Sequence, residues 1–230
     1  MKKIFILSCV LVLSCAAFGQ QIKTKNVELD DLINLLGASG YELFSFDITE
    51  MLNERYNIVY IRAEYEAGKE VATSNLNTVS NKRLLTDFSE SYRQEFIDGG
   101  GRIIDPKTQA VAHAEKISFG FYPADNDSTK FLKINVPNIG GMSLPLKLRG
   151  LHMKDSDKKY FSYNTRPFKI DKFEVDKFIP LVLFGSSWYN EQFNVFQFCG
   201  DNEIEPDLSS EILKEVPHYY VLGVKFVKRQ

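Results

Sequence analysis

From Lys116 onward the apolar residues of this chain recur at every second position, a period that permits few folds. Ile117, Phe119 and Phe121 alternate with Ser118 and Gly120; Leu132, Ile134 and Val136 alternate with Lys133 and Asn135. Side chains repeat every two residues in a strand, so each run reads as half-buried β-structure. Between them Pro123-Ala124-Asp125-Asn126-Asp127-Ser128 supplies turn-forming residues, which makes the pair a hairpin. Leu144, Leu146 and Leu148 predict a third strand, and Pro145 within it marks an edge or a bulge. The nearly unbroken apolar run 178–184 predicts a strand covered on both faces, and Tyr220, Leu222, Val224 and Phe226 predict the last one.

The first half mixes periods. Leu29, Leu32, Ile33 and Leu36 fall on one helical face, with Asn26 placed to cap and Gly37 after the last apolar residue. Strand alternation follows in Phe44, Phe46 and Ile48, and again where Val59, Ile61 and Ala63 oppose Tyr60, Arg62 and Glu64. The polar stretch 68–82 reads as a loop. A second helix is expected inside 84–97, with Asp87 and Glu90 as a capping pair and Gly99-Gly100-Gly101 as its stop. Helices and strands do not alternate, so a doubly wound parallel sheet is disfavoured. The expected fold is mainly β, α+β by content: an antiparallel β-sandwich with two short peripheral helices. Residues 100–114 hold the one plausible subdomain boundary in a single domain over 20–230.

The start of the chain sets a compartment. Lys2 and Lys3 precede an apolar stretch, residues 4–13, and then small residues, the pattern of a secretory signal with its cut before Gln20. The stretch is shorter than the roughly 20 residues that span a bilayer, so no transmembrane helix is expected. A second reading takes Val12-Leu13-Ser14-Cys15 as a lipobox that leaves a lipid on Cys15; soluble export is favoured because Leu13 fits the middle position poorly. Loss of residues 1–19 removes two lysines and no acid, so 28 basic residues become 26 against 30 acidic ones. A mildly acidic surface has no field for phosphates, and nucleic acid is not an expected partner. Cys199 is then the sole thiol, so an exported domain must hold together by its core rather than by disulfides.

Residues with catalytic chemistry are sparse. His113, His152 and His218 are isolated, without the His-Glu-x-x-His spacing of a zinc hydrolase. Gly185-Ser186-Ser187-Trp188 lacks the form of a nucleophile elbow, and His218 after Pro217 reads as a hydrogen-bonded structural residue. No cofactor and no resident metal is expected. Two groups offer binding chemistry. Asp201, Glu203, Glu205 and Asp207 would share one face of an extended segment, an oxygen set suited to a hard cation or to sugar hydroxyls, although Pro206 interrupts it. Trp188 and Tyr189, adjacent and followed by Phe193, Phe196 and Phe198, point to opposite faces of a strand, so one of them is available to stack on a sugar ring.

The stretches YELFSFDITEML, FIPLVLFGSSWYNEQFNVFQFCGDNEIEPDLSSEIL and VPHYYVLGVKF resemble a family of exported proteins of unknown function from gut Bacteroidetes, over nearly the whole mature chain. The resemblance implies a Gram-negative cell envelope, in the periplasm or at the outer membrane, and brings no catalytic residues. The expected function is a non-catalytic binding domain whose partner is an envelope protein or a saccharide. The alternative is a glycan-active hydrolase using carboxylates of the 201–207 segment, two of them about 5 to 9.5 Å apart across a cleft.

Overall fold

Every second residue of the chain's last strand faces a different core, and the whole architecture follows from that strand. A computed structural model describes residues 25–153, 156–170 and 174–229. Its strands are β1 (Glu42–Asp47), β2 (Tyr56–Glu66), β3 (Lys69–Ser80), β4 (Lys82–Leu84), β5 (Ala110–His113), β6 (Lys116–Pro123), β7 (Thr129–Val136), β8 (Gly140–Lys147), β9 (Leu151–His152), β10 (Lys159–Tyr160), β11 (Tyr163–Pro167), β12 (Phe178–Ser186), β13 (Trp188–Asn190), β14 (Val195–Gln197) and β15 (His218–Lys228). A four-stranded sheet runs β1-β6-β7-β8 and a five-stranded sheet runs β11-β12-β15-β2-β3, all pairings antiparallel. The protein is mainly β, with antiparallel sheets and, among the described residues, two α-helices, as its sequence periods predict.

The two sheets bury one core between them. Phe119, Phe121, Leu132 and Ile134 meet Tyr60, Phe184, Tyr220 and Leu222 from the other layer. Phe44 and Phe46 of β1 close it edge-on against Phe121 and Phe119, at 6.4 and 6.1 Å between ring centres. On the outer face of the five-stranded sheet, Leu183, Tyr219 and Val221 form a second core with Ile204, Ile212 and Leu213. The segment after β14 therefore covers that face, which explains why 178–184 is apolar at almost every position. Pro145 sits in β8, the edge strand its sequence called for.

Some readings of the β and helical elements differ from the structure. The polar stretch 68–82 is no loop: β3 fills it, pairing with β2 across a two-residue turn in which Ala67 and Gly68 both have positive φ, 46° and 74°. As an edge strand with most residues in solvent, β3 takes its order from the backbone of β2 and needs no apolar alternation. The second helix, α2 (Glu90–Asp98), starts later than expected, because the Ser89 hydroxyl accepts the Tyr92 N–H while Asp87 turns away to pair with Arg55. In β2 the interior face is Tyr56, Ile58 and Tyr60, and Arg62 and Glu64 prolong that face to the end of the sandwich.

The chain forms two contact units, Met1–Leu35 and Leu36–Gln230. Helix α1 (Leu29–Ala38) begins in the first and has no buried residue; it starts later than a cap at Asn26 would place it, and the Asp31 carboxylate of its first turn reaches back to accept the Glu28 N–H. Everything that follows concerns the second unit. The expected signal segment and Cys15 lie outside the described residues. Among the described residues, no helix is long and apolar enough to cross a membrane.

Candidate functional site

Where Arg62 and Glu64 leave the core, β2, β11 and β15 bring four polar side chains together. The His218 ring, 2% exposed, reaches Tyr163 Oη through Nδ1 at 2.6 Å and Glu64 Oε1 through Nε2 at 3.0 Å. A carboxylate only accepts, so Nε2 carries the ring proton and Nδ1 takes the hydrogen bond donated by the Tyr163 hydroxyl. The Tyr163 oxygen in turn accepts the Arg149 backbone N–H at 2.9 Å. The Arg149 guanidinium bridges Glu66 at 2.8 Å and Glu64 at 3.3 Å. Each polar group thus meets a partner of the right sense.

Burial dominates the electrostatics of this cluster. Burial disfavours the imidazolium and moves His218 below the ordinary histidine range, although the Glu64 hydrogen bond works against that shift. Burial also pushes the Tyr163 phenol well above its usual value, the opposite of what an activated nucleophile needs. Tyr220, beside the network, is pushed up to about 12 by the same desolvation. Glu64, Glu66 and His218 are the one set of three ligand-type side chains converging within 4.8 Å among the described residues. The Arg149 guanidinium already bridges the two carboxylates, so a divalent cation would have to compete with it for their oxygens.

Tyr163 also lines a cleft of about 410 Å³. One wall is the β6–β7 turn, with Asp127 and Lys130; the other is the segment carrying Lys158, Lys159 and Tyr160; Phe184 lies beneath. The Tyr163 and Phe184 rings are 5.0 Å apart, which joins this floor to the sandwich core. Lys158 Nζ stands 5.2 Å from the centre of the Tyr160 ring. Lys130 is held by its hydrogen bond to the Gly40 carbonyl at 2.5 Å, and its partial burial lowers its pKa. At the other end of the sandwich a cleft of about 420 Å³ is walled mainly by hydrocarbon, including Phe46, Ile117, Ile179 and Phe226. There the Asp47 carboxylate is already occupied by Thr49.

The residues singled out in the sequence fall in three places. His218 sits behind the cleft wall, and it is the His218 N–H, not its ring, that meets Ser186. Trp188 and Tyr189 point to opposite faces of the β13–β14 hairpin: Trp188 packs with Phe198 over the second core, while Tyr189 packs on Phe196 at 5.5 Å. Phe196 in turn lies 5.3 Å from Tyr160, so a chain of half-buried rings runs from the cleft to Tyr189. The acidic segment is not extended. Ile204 is its buried anchor, Glu205 pairs with Lys169, Asp207 accepts the Ser209 N–H, and Asp201 and Glu203 are exposed. The Ser209 hydrogen bonds lower the Asp207 pKa.

A family model described as a domain of unknown function, DUF5041, matches residues 11–228. This chain belongs to the DUF5041 family. No curated protein and no solved structure matches it. The candidate site contains residues that the sequence alone does not single out: Glu64, Arg149, Tyr160, Tyr163, Lys130, Lys158 and Lys159. Glu64 stands in the sequence only as the polar partner of an alternation; Arg149 meets it from a connection 85 residues on, and Tyr163 reaches it through His218. Charge on a strand that ends at a sheet rim was the available signal.

Proposed function

We propose that this domain acts by binding a saccharide in the cell envelope, in the cleft bounded by Tyr160 and Tyr163. The observation that carries the reading is the position of Tyr160, which is at once a cleft wall and the neighbour of Phe196, extending an aromatic surface to Tyr189. Flat, partly exposed rings beside polar tips suit the apolar face and the hydroxyls of a sugar. The leader-like first 19 residues and the resemblance to exported Bacteroidetes proteins support an envelope setting, with soluble export preferred to a lipid on Cys15. A binding role draws support from the chemistry of the rim: its histidine is buried and its tyrosine is held protonated. The hydrolase reading has less behind it, because Glu205 is paired with Lys169 and the Ser209 hydrogen bonds lower the Asp207 pKa, the reverse of what a general acid needs.

Under this reading a glycan panel contains a ligand, and Tyr160→Ala weakens it. Loss of one stacking ring is worth about 1 kcal/mol, or several-fold in Kd by titration calorimetry. A ligand whose affinity is unchanged in both Tyr160→Ala and Tyr189→Ala overturns it.

A further inference from the structure

Deepening that reading, on which it rests, we infer that the saccharide is anionic, its charge carried by uronate carboxylates or sulfate esters. Three lysines line the cleft, Lys130, Lys158 and Lys159, against a single carboxylate, Asp127. The imbalance is local, because the whole chain has more acids than bases, 30 against 28. Several cations elsewhere are matched, Arg55 and Arg229 with Asp87, Arg149 with Glu64 and Glu66, Lys169 with Glu205, Lys228 with Glu54, while other surface lysines are not; what marks the cleft is that its three lysines line one concavity. Among the described residues neither Lys158 nor Lys159 pairs with a carboxylate. Lys158 lies against the Tyr160 ring, so one footprint offers a flat apolar surface and a cation together. A neutral sugar laid on that surface would strip water from two ammonium groups and return no charge to them. A ring bearing a carboxylate or sulfate stacks on Tyr160 and meets Lys158 and Lys159 at its edge. Lys130, fixed to the Gly40 carbonyl across the cleft, sets a third positive point on the facing wall.

The test uses the full exported chain and three tetrasaccharides of similar size: oligogalacturonate, chondroitin sulfate and neutral cellotetraose. Calorimetry should show an anionic sugar binding, with affinity falling as salt rises and at least about tenfold weaker in the Lys158→Gln, Lys159→Gln double variant. Both lysines are exposed, so the variant should keep the circular dichroism and melting temperature of the parent. Preference for oligogalacturonate identifies a carboxylate source, and preference for chondroitin sulfate a sulfate source. Cellotetraose binding as tightly as either, unaffected by the double variant, overturns the anionic inference and leaves the cleft reading standing. No binding by any of the three overturns both.

Discussion

The Tyr60 hydroxyl is enclosed between the two sheets and has no hydrogen-bond partner among the described residues. Burial pushes its pKa above the usual phenol range, so it stays protonated with a donor that bonds to nothing. Tyr60→Phe removes the stranded group and keeps the ring, and should raise stability by about 1 kcal/mol. That is a gain of about 2–4 °C in melting temperature for a domain of this size, readable by scanning calorimetry; a lower melting point would mean that the hydroxyl has a partner in solution. His218 makes the opposite case of a buried polar residue with both nitrogens engaged. Its proton affinity is lowered on folding from the ordinary value of 6.5. The unfolded chain therefore binds the extra proton first as pH falls, and the contribution of this residue is most favourable above 6.5 and is lost as pH drops toward the folded value. Urea denaturation at pH 7.5 and 5.5 should show the wild type losing stability over that interval. His218→Gln, less stable throughout, should lose less; equal losses in the two proteins would refute the assignment.

At the scale of the element, the pairing of β12 with β15 leaves no room for a side chain at one position. A Cβ placed on Gly223 would stand 2.1 Å from the Ile179 carbonyl oxygen and 2.9 Å from the Pro180 Cα, both backbone atoms that cannot rotate away. This close approach adjoins the irregularity between Pro180 and Val182, where the register shifts. Gly223→Ala should cost about 3 kcal/mol and lower expression of soluble protein, while Gly37→Ala in α1, where the added Cβ meets nothing within 4 Å, should be harmless. Comparable melting curves for the two variants would refute the close packing. The elements differ in how openly the sequence announces them. The β6–β7 hairpin and the apolar β12 and β15 are legible because burial imposes a pattern on their residues. β3 is not, since its order comes from main-chain bonds to β2, which any polar sequence without proline can make. The candidate site was legible only in part: Tyr189 and His218 stand out as residue types, whereas Glu64, Arg149 and Tyr163 acquire meaning from strand order, which periodicity does not encode.

For the whole molecule, the two layers depend on hydrocarbon packing around Phe119, Phe121, Phe184 and Tyr220, and on a second packing layer anchored by Ile204 and Leu213. The acidic side chains nearest to a cation site, Glu64 and Glu66, are already answered by Arg149. Millimolar EDTA should therefore leave the melting temperature unchanged, and millimolar calcium should not raise it; a shift of several degrees in either direction would show that an ion replaces the guanidinium. The rim beside Tyr163 is fastened by polar ties: Tyr220 Oη to the Lys147 carbonyl at 2.9 Å, the Arg149 N–H to Tyr163, and the Arg149 guanidinium to β2. The far rim holds the cleft walled mainly by hydrocarbon around Phe46 and Phe226, and the strand ends beside it carry the Lys228–Glu54 pair and the pairs of Arg55 and Arg229 with Asp87. The two ends thus differ in what is buried there: a hydrogen-bonded histidine at one, a hydrocarbon-walled cleft flanked by exposed ion pairs at the other. Brine therefore loosens the exposed pairs at both ends, while chilling weakens the hydrocarbon layer that lies between them.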